Sequence, residues 1–199
     1  MKRIALAIAL LSLALTSSAQ FTFGIKAGYT ASTMPTNLPD IKDEVKSNFL
    51  FGAFTRFGKK LIVQPEVYFA TSGGIYKDTL GGKQTIKLKN LDIPVLVGFK
   101  LIDAKVIKLR VLVGPVASFV LGKDISYSDI TQIQNEIQAS QLKDVIWKFD
   151  AGVGLDVLFL TFDVRYEWGL NNIYNPASGQ ESYDIKNNVF NISVGFKFM

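Results

Sequence analysis

The sequence predicts an all-β protein, an antiparallel up-and-down transmembrane β-barrel of about eight strands. Three observations predict it. Beyond residue 20 apolar and polar residues alternate with a period of two almost throughout, as in LTFDVRYEWGL at residues 160–170. The connections between alternating segments switch between long and short without exception. Glycine and charge fall on the same face of the strands, opposite an apolar face that no charged residue interrupts.

The first segment, MKRIALAIALLSLALTSSAQ, is set apart from the strands. Lys2 and Arg3 form a basic start, Ile4 to Leu15 a short apolar run, and Ser17-Ser18-Ala19 a small-residue cleavage site before Gln20. The run is too short for a spanning helix, so residues 1–19 read as a cleaved signal peptide and residues 20–199 as a single barrel domain. Losing Lys2 and Arg3 lowers the net charge from +5 to +3, too little and too scattered for a nucleic-acid partner. With no Cys in the chain, neither a lipoprotein anchor nor a disulfide scaffold fits.

Strands are expected at 21–30, 48–58, 60–72, 84–101, 107–122, 145–158, 159–171 and 187–199. Each runs roughly ten residues or more, a length suited to tilted membrane strands. The first connection is the polar TASTMPTNLPDIKDEVKS; the second is only Gly58-Lys59-Lys60. TSGGIYKDTLGGK, the short IDAKVI, the long KDISYSDITQIQNEIQASQLKD, a tight turn at Leu158 to Leu160 and NNIYNPASGQESYDIK follow. Outer-membrane barrels alternate in this way, with short periplasmic turns and long extracellular loops. In the longest loop Ile130, Ile133 and Ile137 recur at helical spacing after Ser128, which is compatible with a short amphipathic helix or an irregular loop.

Parity then sorts the faces. The apolar set includes Phe21, Phe23 and Ile25 in the first strand and Phe190, Ile192 and Val194 in the last. The opposite set holds Lys26, Arg56, Gln64, Glu66, Asp92, Lys100, Arg110, Lys148, Asp150, Asp156, Asp163, Arg165, Glu167 and Lys197, together with ten glycines such as Gly152 and Gly154. A water-facing surface has no steric need for glycine, whereas the crowded inside of a small closed barrel does. The charged face is therefore expected inside. Tyr29, Phe49, Phe69, Phe119, Trp147, Trp168 and Phe190 stand at the loop-side ends of the apolar face and predict one aromatic girdle. Phe21, Phe57, Phe99, Phe159, Phe162 and Phe198 predict the other. Between them Phe190 to Phe198 rises roughly 20 Å at a tilt near 40°, close to the apolar band of such barrels.

Pro65, Pro94 and Pro115 fall inside strands that a closed barrel pairs on both sides, and bulges or kinks are expected there. Around them the chain resembles the PorT-like outer-membrane β-barrel family. The resemblance rests on Leu91-Asp92-Ile93-Pro94-Val95-Leu96, Gly114-Pro115, Gly152-Val153-Gly154-Leu155-Asp156, and Asp163-Val164-Arg165-Tyr166 followed by Gly169-Leu170. It spans essentially all of residues 20–199 and implies an integral barrel of the bacterial outer membrane. In a few members of that family it also implies a link to secretion. The last strand, ending Phe196-Lys197-Phe198-Met199, is similar to the signal read by barrel-assembly machinery, although Met rather than an aromatic residue is last.

About eight strands leave an interior wide enough only for side chains. Asp163, Arg165 and Glu167, with Lys148 and Asp150 of the preceding strand, are the expected lumen charge network, in which each buried charge needs a partner. The chain has no His and no Cys, so an enzyme relying on either, and a metal site of the His or Cys type, are not expected; no cofactor is implied. Asp40, Asp43 and Glu44 match no defined Ca²⁺ loop and read as a solvated acidic stretch. The expectation is a non-enzymatic structural or interaction barrel. Its partners are membrane lipid, the assembly machinery and a protein at the long loops. The alternative is a soluble lipocalin-like barrel with reversed faces that binds an apolar ligand.

Overall fold

The computed structural model describes residues 21–35, 42–77, 83–128, 142–174 and 185–198. Eight strands close a single antiparallel barrel in sequence order: β1 (Phe21–Thr33), β2 (Lys42–Phe57), β3 (Leu61–Lys77), β4 (Lys83–Asp103), β5 (Ile107–Ser128), β6 (Val145–Val157), β7 (Leu160–Gly169) and β8 (Asn188–Lys197). β1 closes on β8 with Gly24 opposite Lys197 and Thr33 opposite Asn188, so the ring is complete. The signal peptide at 1–19, Asp40 and the stretch holding Ile130, Ile133 and Ile137 lie outside the described residues.

The orientation of the faces follows the glycines. Phe162, Val164 and Trp168 are exposed on the outside of β7, while Thr161, Asp163, Arg165 and Glu167 are buried within. The same division runs round the wall, which is the reverse of what the soluble, apolar-centred alternative requires. Three short turns close the periplasmic end. Gly58 opens the β2–β3 turn at φ 112°, a conformation only glycine takes without strain. β4 and β5 are joined through Ala104 to Val106, and β6 and β7 through Leu158 and Phe159, with Leu158 at φ 53°.

At the extracellular end the strands are longer than their sequence pattern suggests. Most of TSGGIYKDTLGGK is not loop but the paired ends of β3 and β4, from Gly74 opposite Ile86 to Lys77 opposite Lys83. β5 likewise continues through the start of KDISYSD as far as Ser128, and β2 begins at Lys42 and includes Asp43 and Glu44. The result is a tall wall of β2–β5 beside a short wall of β6–β8. Above Leu91 the β4 strand climbs eight more residues to Lys83, about 26 Å along the strand. Inward Ile86 and Leu88 keep it in place, because both are fully buried against segments from the other side of the mouth.

The prolines do not produce bulges. Pro65 faces Val95 and Tyr68 faces Asp92 in one unchanged register, and Pro94 opposite Val116 continues in the register of Val97 opposite Val113. A missing N–H removes a ladder bond but not a residue, so the inside-outside alternation on either side holds the alignment. The shifts lie elsewhere: in β2 between Val45 and Leu50, and between β4 and β5 at Lys89/Asn90 and Lys100/Ile102.

Candidate functional site

The inside of the barrel is the candidate site, and its lower part is ionic. Six cations (Lys26, Arg56, Lys100, Arg110, Lys148, Arg165) and six carboxylates (Glu66, Asp92, Asp150, Asp156, Asp163, Glu167) are each no more than 5% exposed, so the buried charges of the described residues balance. Nearest the periplasmic turns, Arg56 of β2 meets Asp156 of β6 at 2.8 Å, and Lys197 reaches the same carboxylate at 3.2 Å. Arg110 of β5 binds both Asp156 and Asp163 and donates to Thr161 Oγ1 at 2.6 Å.

The next level is joined to this one through Gln64, which accepts from Arg56 Nε at 2.7 Å and donates to Glu66 at 2.6 Å. Glu66 also holds Lys26 and, at 3.0 Å, Arg165; Arg165 in turn lies 3.1 Å from Asp150. Above it Lys148 bridges Glu167 at 2.6 Å and Asp92 at 3.1 Å. Glu167 further accepts from Tyr68 Oη at 2.6 Å and from Asn191 Nδ2. The two lower levels thus form one hydrogen-bonded network, and the upper one around Lys148 and Glu167 meets it through the Tyr68 ring, whose centre lies 4.7 Å from Lys26 Nζ.

The geometry of these contacts matters more than their number. Arg56–Asp156 links β2 to β6, while Arg165–Glu66 and Tyr68–Glu167 link β3 to β7. In a closed ring of eight strands those are walls four strands apart, that is, opposite each other. Side chains therefore span the full width of the lumen. Glycines leave room for these side chains: a Cβ on Gly154 would strike the Arg110 guanidinium and the Asp163 carboxylate, and one on Gly152 would strike Arg165.

Of the five residues grouped from sequence, Lys148 and Glu167 are bonded directly, and Arg165 lies beside Asp150. Asp163 belongs to the lower level with Arg110 and Asp156 and is not bonded to the other four. The grouping omitted Tyr68, although its position on the inward parity of β3, between Glu66 and Ala70, would have placed it. It also omitted an apolar share of the lumen. Phe54 is buried on the inside next to Arg56, whose guanidinium lies 5.3 Å from its ring centre, and Ile62, Leu96 and Leu112 cluster together. The girdle residues Tyr29, Phe49, Phe69, Phe119, Trp147, Trp168 and Phe190 are all on the outer surface, exposed between 38% and 78%.

Above the charges comes a neutral level, in which Asn90 and Asn187 both donate to Ser72 Oγ, at 2.8 and 2.9 Å. Above that the mouth is apolar. Met34, Ile86, Leu88, Leu142, Ile146, Ile173, Tyr174 and Ile185 form one buried cluster drawn from the tall wall, from β6 and from the segments flanking β1, β6, β7 and β8. Those segments extend the sheet across the mouth: Leu142 bridges Tyr174, Ile173 N donates to Ile185 O at 2.9 Å, and Lys186 N donates to Pro35 O at 3.3 Å. Asn172 Oδ1 fastens them by accepting from the amides of Tyr174 and Ile185.

No curated protein sequence matches this chain. Among solved structures it is similar to the outer membrane protein OprG from Pseudomonas aeruginosa, at 14% identity and a TM-score of 0.52 over 89% of this chain and 95% of that one. It is also similar to Neisserial surface protein A, at 13% identity and a TM-score of 0.50 over 92% of this chain and 100% of that one. At such identities the likeness is one of fold. The sequence itself goes further: with its charged face inside, its apolar face outside and residues 15–175 matching the family described as outer membrane protein beta-barrel domain, the chain belongs to that family and resides in the bacterial outer membrane.

Proposed function

We propose that the protein is a closed structural or interaction barrel, without catalytic activity, whose function is carried by its extracellular loops against an external or membrane partner. One observation carries the reading: Arg56–Asp156, Arg165–Glu66 and Tyr68–Glu167 cross the lumen between opposite walls, which leaves the loop end as the accessible functional surface. The lumen carboxylates serve as charge partners; Asp163 is held by Arg110, and Glu167 by Lys148. The PorT-like resemblance makes a component of outer-membrane secretion the first partner class to test.

Two measurements separate the parts of this reading. In planar bilayers the purified barrel is expected to give no conductance steps, and stable open events at neutral pH would overturn the closed lumen. Replacing residues 175–184 by a short Gly-Ser linker is expected to leave a heat-modifiable barrel while abolishing surface crosslinks to the partner. An unchanged crosslinking pattern, with the secreted proteins also unaltered in a deletion strain, would remove the loops from the function.

A further inference from the structure

A second feature lies on the outside of the barrel and is independent of the loops. Two strand irregularities flank the β3–β4 pair at the same height. β2 shifts register between Val45 and Leu50, and β5 carries the unmatched Leu121, because Lys89 faces Gly122 while Asn90 faces Val120. Bulges bend the strand that carries them and disrupt the ladder locally. Between them the wall holds a cavity of about 450 Å³, within the usual range for a small-ligand site.

The lining is divided by height. Phe49, Phe51, Phe69 and Leu121 provide apolar walls, and Phe49 at 78% and Leu121 at 61% are among the most exposed apolar side chains of the described residues. This surface continues the lipid-facing band of the barrel, so what meets it is lipid. Lys89 lines the extracellular side of the same cavity. It faces Thr71, two residues above the row in which Leu91 faces Phe69. Lys87 follows on the same side of β4, opposite Asp124. The ammonium of Lys89 touches Asp124 at 3.0 Å, but both side chains are more than half exposed, and surface pairs of this kind are weak and readily exchanged. Among the described side chains Lys87 and Lys89 stand against Asp124, so these give the rim an excess of positive charge directly above an apolar slot.

We propose that this groove holds a phosphate-bearing glycolipid of the outer leaflet, one acyl chain lying along Phe49, Phe69 and Leu121 and the phosphate replacing Asp124 on Lys89. Apolar contact below and cation above match the order of chain and phosphate in such a lipid, and the extracellular height of the groove selects the outer leaflet. Asn90 closes the inner side of the groove, and its Oδ1 has no hydrogen-bond partner among the described residues.

Native mass spectrometry of the full barrel, released from neutral detergent with diphosphoryl lipid A, dioleoylphosphatidylglycerol or dioleoylphosphatidylcholine, tests this. One lipid A is expected to survive activation that strips phosphatidylcholine. Lys89→Glu is expected to lower its occupancy about tenfold, since reversing a charge beside an anionic headgroup removes one attraction and adds one repulsion. Thr71→Trp, which fills the slot, is expected to lower it as well, and Asp124→Asn to raise it. All variants are checked for folding by heat modifiability on gels. Equal retention of phosphatidylcholine, or unchanged occupancy in both Lys89→Glu and Thr71→Trp, would overturn the site. Phosphatidylglycerol retained as well as lipid A would overturn the glycolipid assignment.

Discussion

The two halves of the lumen solve the same packing problem with opposite chemistry. The periplasmic half is filled by charged side chains projecting from the strands themselves and matched by partners of the other sign, some on neighbouring strands and some, as in Arg56–Asp156 and Arg165–Glu66, on the opposite wall. The extracellular mouth is filled by aliphatic side chains, several of which arrive on segments between strands: Met34, Leu142, Ile173 and Ile185. The first filling is directional and tied to the wall, so losing one member strands its partners. The second is non-directional and assembled from separate pieces, so it can open while the wall stays closed.

The largest effect is expected from breaking the ionic half. Arg110→Met leaves Asp156 with Arg56 and Lys197 but deprives Asp163 of its cation. A buried carboxylate left in that state costs about 3–5 kcal/mol. Urea unfolding in vesicles, followed by tryptophan fluorescence, should show a matching fall in global stability. Adding Asp163→Asn should recover much of it, and failure of the double variant to recover would mean that the two do not act as a pair. A smaller effect, and one of a different kind, is expected in the mouth. Leu88→Ala removes a fully buried side chain at a local cost of about 2–4 kcal/mol. Hydrogen exchange should accelerate in residues 142–146, 173–174 and 185–187 while the global urea midpoint moves little. A global shift as large as that of Arg110→Met would erase the distinction between the halves.

The same contrast explains what the sequence made legible. All eight strands, the three tight turns and the inward direction of every buried charge follow from a period of two, because parity is local and a strand has only two faces. The glycines revealed which face is inside for a similarly local reason: Gly152 and Gly154 leave the space that Arg165 and Arg110 occupy. What stayed hidden is non-local. Parity sets Asp163 beside Arg165 and Glu167, but a lumen side chain chooses its partner on another strand, and Asp163 pairs with Arg110 fifty-three residues away. The added height of β2–β5 was hidden likewise, since Ile86 and Leu88 look misplaced beyond the membrane until Leu142, Ile173 and Ile185 cover them. Proline misled because its missing donor is visible in a sequence while the register that tolerates it is not.

Tyr68 sharpens the comparison because it belongs to both chemistries. Its ring packs with Leu50 and Ala70 and lies 4.7 Å from Lys26 Nζ, while its hydroxyl donates to Glu167. Tyr68→Phe keeps the ring, its packing and its contact with the cation and deletes only the hydroxyl. Glu167 still holds Lys148 and Asn191, so it is not stranded, and the expected loss is about 1 kcal/mol, that of a single hydrogen bond. The same urea titration reads it. A loss near that of Arg110→Met would mean that the ionic half responds as one unit, in which even a neutral donor cannot be spared. A loss near zero would mean that the lysine and asparagine saturate Glu167, and that Tyr68 is retained for the shape it contributes where the two halves meet.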